Sequence, residues 1–399
     1  MSASRLNPHM PHQVRLAVLI PILVLGAGCP PGDMVEIVSG FDLLPRSRPA
    51  LGNDGTVVAA TPTELIVGDG IASITIDLAA SGLGVTAVNG AKRIQVRDEG
   101  ELVFLAGRGG TTMGCPLFSG VYETTSAGGA ISTVHETCES VSPGPAMGRS
   151  IGMSSNGTVA FSDIRNGAGA IYRYAVGSAP TVLHSGSGEF FNFGELDVND
   201  AGQVPIQMEY FDGFAGGLMR GVFVFDDIEQ DKLDSDTAVE KLAIGNRPAV
   251  AINDAGTVVL ATNSNMSFPI DGVMYNFDAG VYLATPTLFN TPKILVPVAT
   301  MADGYCNFGA VDINDAGTVV FEAQLDAGFP CNGGGYDGLF SGADPVADVV
   351  VERGDARLDS HQYFDSVYLG EINDSGQVSF ATTYSEPLVP PFTIWRFDP

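Results

Sequence analysis

The sequence predicts an all-β fold: a seven-bladed β-propeller of four-stranded antiparallel blades, the last blade closed by the N-terminal strand. Three observations carry this. A turn-and-strand phrase, INDAGTVVF at Ile313 to Phe321, recurs along the whole chain. The intervals between copies each hold several short apolar stretches bounded by turn residues. The composition, with 50 Gly and 24 Pro in 399 residues and 45% hydrophobic residues, is that of many short strands joined by tight turns.

The repeat aligns on a turn glycine: Gly55, Gly100, Gly157, Gly202, Gly256, Gly317 and Gly376, with spacings of 45, 57, 45, 54, 61 and 59 residues. Variation of that kind belongs in loops. Asn stands three residues before the glycine in the last four copies, as Asn199, Asn253, Asn314 and Asn373, whereas the first three have Gly52, Arg97 and Ser154. An Asn side chain there can close an Asx-type turn, and the glycine can take a positive φ. The repeat therefore reads as a structural device.

After each turn a strand alternates, as with Val319 and Phe321 against Val320 and Glu322. A second strand carries a small residue, an aliphatic and an aromatic: GVY at Gly120, AIY at Ala170, GVF at Gly221, GVY at Gly280 and GLF at Gly338. Third stretches follow, such as SITID at Ser73, ISTV at Ile131, TVL at Thr181, KILV at Lys293 and ADVVV at Ala347. A fourth leads into the next turn, as FFNF at Phe190 and YLGEI at Tyr368 do. Four short strands per unit is the pattern of a propeller blade. After Gly376 only QVSF and TIWRF remain, while MVEIV, Met34 to Val38, precedes the first turn without a blade of its own. Pairing these two ends would close the ring and protect an open sheet edge. A row of small β-sandwiches is the alternative architecture.

The N-terminus predicts export. Arg5 and Arg15 precede the apolar run Leu16 to Gly28, which is too short to span a bilayer comfortably and ends in small residues before Cys29. Residues 1–28 read as a signal peptide, 29–33 as a short tether and 34–399 as the propeller. Gly26-Ala27-Gly28-Cys29 resembles the lipobox of bacterial lipoproteins, with Leu25 one place further from the Cys than is usual. The resemblance implies lipidation at Cys29 and an anchor in the outer membrane or at the cell surface. Free secretion is the alternative.

The recurring N-x-x-G-x-V-x-F, the later Gly-aliphatic-aromatic marker and the phrase ERGDARLDSHQYFDSVYLGEINDSGQVSF, Glu352 to Phe380, resemble the bacterial tandem-repeat, choice-of-anchor surface proteins named for an NxxGxVAF motif. The likeness is strongest from Gly194 onward. It implies a cell-surface, propeller-like protein and brings no catalytic residues with it.

A formal net charge of -27, from 46 acidic against 19 basic residues, repels polyanions, so nucleic acid is excluded as a partner and a soluble monomer is expected. Four cysteines follow Cys29. In an oxidising compartment Cys115 with Cys138 and Cys306 with Cys331 is the most local of three connectivities. DVNDAG and DINDAG raise a calcium alternative at Asp197, Asn199, Asp312 and Asn314, but Ala201 and Ala316 stand where an EF-hand loop wants a ligand. The turn reading is preferred and no cofactor is expected. GRSIG at Gly148 leads into a strand, as does GGGYDG at Gly333, so neither is read as a nucleophile elbow or a phosphate loop. His135, His184 and His361 are scattered and read as loop or blade-edge residues. Trp395 reads as blade packing.

Two functions survive. One is a non-catalytic binding or scaffolding propeller with a protein or glycan partner, touching the membrane only through its anchor. The other is an extracellular propeller hydrolase with a site in the central channel. That reading requires acidic or His residues converging from equivalent positions of several blades, where the sequence suggests turn and apolar residues.

Overall fold

A computed structural model describes residues 32–40, 43, 48–80, 85–87, 94–97, 100–112, 115–139, 147–165, 168–185, 190–212, 217–225, 239–243, 249–263, 265–270, 273–284, 295–326, 336–361, 364–384 and 392–399. Residues 1–31, with the predicted signal peptide and Cys29, lie outside them.

Seven antiparallel blades form the ring. Blade 1 runs from the channel outward as Ala50–Leu51, Val57–Ala60, Glu64–Gly68 and Ser73–Asp77. Blade 2 has a divided innermost strand, Val85–Ala87 and Ile94–Val96, both paired with Glu101–Thr112, followed by Cys115–Thr125 and Ser132–Glu139. Blades 3 and 4 begin at Met147–Met153 and Phe190–Leu196 and end at Thr181–Ser185 and Val239–Ala243. Blade 5 is Ala249–Ile252, Val258–Thr262, Gly280–Ala284 and Leu295–Thr300, with a two-stranded hairpin, Met266–Ile270 and Val273–Phe277, inserted before its third strand. Blade 6 is Tyr305–Ile313, Val319–Leu325, Gly338–Phe340 and Val349–Glu352.

Blade 7 takes its inner three strands, Ser366–Ile372, Val378–Thr383 and Phe392–Asp398, from the C-terminal end and its outermost from Asp33–Gly40. Met34 pairs with Phe397 and Val38 with Ile394. The N-terminal strand thus closes the ring as the sequence predicts. It begins at Asp33, and Gly32 already packs against Phe397 and the Asp398 carbonyl so tightly that no Cβ would fit. The strand thus begins one residue earlier than the Met34 that the sequence suggests.

Each blade offers an apolar face to both neighbours, so both sides of a strand are buried. Val319 and Phe321 face blade 5, while Val320 faces blade 7. Seven clusters of buried side chains result, one at each junction, including Leu51, Val57, Ala381 and Ile394 across the seam between blades 7 and 1. The marker aromatics Tyr122, Tyr282 and Phe340 are buried, and so is Trp395, whose indole N–H donates to Thr382 Oγ1 at 2.9 Å. The marker glycines have a steric reason. Strands three and four are joined through a bulge, which brings a carbonyl within 2.5 Å of the place a Cβ would take at Gly280 and Gly338.

Candidate functional site

The turns between first and second strands all lie at one end of the channel, where residues from all seven blades line a cavity of about 130 Å³. All seven turn glycines are left-handed, with φ between 77° and 84°, as the repeat predicts. The Asn residues close their own turns: Asn314 Oδ1 accepts from Thr318 N–H at 2.8 Å, and Asn253 Oδ1 from Thr257 N–H at 2.9 Å.

The same Asn side chains also reach out of their blades. Nδ2 of Asn199 donates to the Asn253 carbonyl, Asn253 to Asn314, Asn314 to Asn373 and Asn373 to Gly52, at 3.0–3.2 Å. One residue further on, a second course runs parallel. The N–H of Asp200 donates to Asp254 Oδ1, that of Asp254 to Asp315, that of Asp315 to Asp374, and that of Asp374 to Asn53, at 2.7–3.1 Å. Blade 3 joins through Ser155 and Asn156, which donate to the Asp200 carboxylate at 2.8 Å. Blade 2 lacks the motif. Its Arg97 instead pairs with Glu101 at 2.8 Å and lies over Gly157 of blade 3, where a Cβ would collide with it.

A third course lies deeper. Asp197 Oδ2 accepts from Ile252 N–H at 3.3 Å, Asp312 Oδ2 from Ile372 N–H at 2.8 Å and Glu371 Oε2 from Leu51 N–H at 2.8 Å. The other Glu371 oxygen takes Gln95 Nε2 of blade 2 at 2.5 Å. The first three bonds each join one blade to the next, and the Gln95 bond reaches past blade 1 from blade 7 to blade 2.

This corrects the sequence expectation for the channel. Asp197, Asp254, Asp312, Asp315, Glu371 and Asp374 all line the mouth cavity, so carboxylates do converge from equivalent positions of several blades. The signal was present in the sequence: an Asp follows the turn Asn in each of the last four copies. Burial, with the charges of Asp200 and Asp315, pushes the Asp254 carboxyl up to about 6. Burial also works against the charge on Asp200, but the N–H of Asn156 and the hydroxyls of Ser155 and Ser154 outweigh it and hold that carboxyl below its usual value.

Of the four residues in the calcium alternative, Asp197 and Asp312 sit in this third course and Asn199 and Asn314 in the first. Among the described residues no group of three His, Cys, Asp or Glu side chains is arranged to hold a metal ion. Cys306 is buried and disulfide-bonded, while Cys331 lies outside the described residues. For the other candidate pair, Cys138 stands opposite Phe118 in the strand register, three residues along from Cys115. Ser150 of GRSIG is buried in the first strand of blade 3, accepting from Leu196 N–H at 2.7 Å and donating to the Gly194 carbonyl at 3.3 Å. It is another link between blades. His135 and His184 lie on outermost strands, His135 with Nε2 3.1 Å from the fully buried Asp163 of blade 3.

Comparison with known proteins adds little to this geometry. A family of unknown function (DUF7453) matches residues 245–395, which cover blades 5 and 6 and most of blade 7. No curated protein matches the chain. Among solved structures, the β-propeller domain of the Trilobed protease from Pyrococcus furiosus is 12% identical, with a TM-score of 0.44, over 72% of this chain and 76% of that one. A gluconolactonase from Xanthomonas campestris is 11% identical at a TM-score of 0.38 over 93% and 95%, and the polysaccharide lyase Uly1 is 10% identical at 0.44 over 86% and 87%.

Proposed function

We propose that this chain is an exported, cell-surface β-propeller of the NxxGxVAF repeat type, lipid-anchored through Cys29, that binds or scaffolds a protein or glycan partner without chemistry. The observation that carries a non-catalytic role is the use made of the converging carboxylates. Asp254, Asp315 and Asp374 each accept the backbone N–H of the preceding blade, and Asp197, Asp312 and Glu371 accept one from the blade that follows. A general acid or base must be free to present its proton or lone pair to a substrate. These groups act first as rivets. The apolar run before Cys29 supports export, and a disulfide at Cys306 suits an oxidising compartment.

The channel hydrolase is kept as a second reading because six carboxylates line one cavity and Asp254 is poised near neutrality. Two measurements separate the readings. A thermal-shift screen of residues 30–399 with calcium, with EDTA and against cell-wall and extracellular polysaccharides reports native-state binding by mass action. A glycan-dependent rise, with no turnover of glycosidase, esterase or phosphatase substrates, is the expected result. Turnover abolished by Asp254→Asn, with the fold intact, would establish the hydrolase instead.

A further inference from the structure

Below the mouth cavity, the channel holds the side chain of Arg48. It precedes the first strand of blade 1, and its Nη2 lies 3.1 Å from Glu195 Oε1 on the first strand of blade 4. Blades 1 and 4 stand three places apart in a ring of seven, so this pair reaches across the channel. Both residues are seven positions before the turn glycine of their own blade, Gly55 and Gly202, and no residue lining the mouth cavity lies deeper than five. The cavity thus ends as a cup, with Arg48 two residues beneath its floor.

A second carboxylate faces the same guanidinium. Glu322, on the second strand of blade 6, is 2% exposed and accepts the N–H groups of Ala310 at 2.9 Å and Leu369 at 2.6 Å, the latter from blade 7. Among the described residues, the charged and titratable groups interacting within this layer are Arg48, Glu195, Glu322, Tyr336 and, beside Tyr336, Tyr368. Arg48 is the only cation among them. One oxygen of Glu195 is buried with no hydrogen-bond partner. Burial pushes the Glu322 carboxyl up, with the Arg48 charge opposing it. On Arg48 burial opposes the charge, and the two glutamates more than restore it.

We propose that Arg48 is a charge bolt across the channel: its guanidinium compensates two carboxylates buried on blades 4 and 6, and the ring is stable at neutral pH only because it is there. A buried pair broken on one side leaves an uncompensated charge, which is far more costly than replacing the whole set with neutral groups. With the guanidinium gone, Glu322, which burial already pushes up, would bind its proton still more tightly folded than unfolded. Stability would then be lost as pH rises and regained as it falls.

The test is the melting temperature of the full mature chain from pH 5 to pH 8. Arg48→Met should lower it by on the order of 5 °C or more at pH 8, and the deficit should shrink toward pH 5. Adding Glu195→Gln and Glu322→Gln should restore it at pH 8, which a general packing defect at position 48 would not allow. If Arg48→Met melts with the wild type at pH 8, or its deficit is equal at both pH values and survives in the triple variant, the proposal fails. Should Arg48→Met not fold, the triple variant decides alone: a folded triple variant supports the bolt and an unfolded one overturns it.

Discussion

At the scale of single residues, the repeat position carrying most is the Asn, because it works in two directions. Asn314 is 5% exposed, and its carbonyl oxygen closes its own turn while its amide holds blade 7. Asn314→Ala removes the acceptor of the part-buried Thr318 N–H and one of the two donors to the buried Asn373 carbonyl, which keeps the Gly376 N–H, so it should cost about 1–3 kcal/mol, read as a shift in denaturant midpoint. Gly317 offers a clean contrast: nothing lies within 4 Å of a Cβ there, and only its φ of 82° resists substitution. Gly317→Ala should cost roughly 1–2 kcal/mol from backbone conformation alone. Asp254 makes a pH-dependent prediction. Its folded value, about 6, is above that of an unfolded Asp, so its ionised form weakens the fold above that pH and the penalty lifts as the pH falls below it. Asp254→Asn keeps an oxygen to accept the Asp200 N–H. It should melt at or above the wild-type temperature at pH 8 and lose that advantage progressively as the pH falls from about 6 toward 4. A variant less stable than wild type at pH 8 would show that the carboxylate charge itself holds the belt.

At the scale of elements, the turns and strands were legible because each is written locally. The N-x-x-G phrase needs only an Asx turn and a left-handed glycine, and the alternating strand after it needs only a buried face. The Gly-aliphatic-aromatic marker was legible as a pattern but not as a reason, since the carbonyl crowding Gly280 comes from Ala299, on the next strand. The channel mouth was missed on similar grounds. Asp200, Asp254, Asp315 and Asp374 are evenly placed in the repeat, but nothing in one copy says that its turn faces the next copy's turn. Arg48 was missed for a stronger reason: Glu195 and Glu322 are brought to it only when the ring closes. The closing element itself carries a prediction. Strand Asp33–Gly40 pairs along its length with Phe392–Asp398, and Val38 and Ile37 pack at the seam with blade 1. Deleting Met34 to Val38 exposes that edge and uncovers the seam cluster, so the melting temperature should fall and the protein should become prone to association. An unchanged melting temperature in a monomeric product would mean that the strand is ornamental.

At the scale of the molecule, the same contacts that occupy the channel decide how it unfolds. Apolar clusters at all seven junctions make each blade dependent on both neighbours, which by itself describes a one-dimensional array in which ends may fray. Three further features remove the ends. Asn373 donates to Gly52, Glu371 ties blade 7 to blades 1 and 2, and Arg396 donates to the Gly55 carbonyl at 2.7 Å. Arg48 then couples blade 1 to blade 4 through the middle. Calorimetry on residues 30–399 should therefore show one transition, with van't Hoff and calorimetric enthalpies in agreement. The row of sandwiches considered from sequence would give several. Disconnecting the seam is the discriminating case. Arg396→Ala and Asn373→Ala together remove polar links between blades 7 and 1, the second also opening the Gln377 N–H bond of its own turn, while every blade keeps its strand ladders. If the ring is the unit of stability, the double variant should melt lower and still in one step. If its endotherm instead splits, with the C-terminal blades leaving first, the seam holds a frayable array, and cooperativity resides in the junction clusters alone.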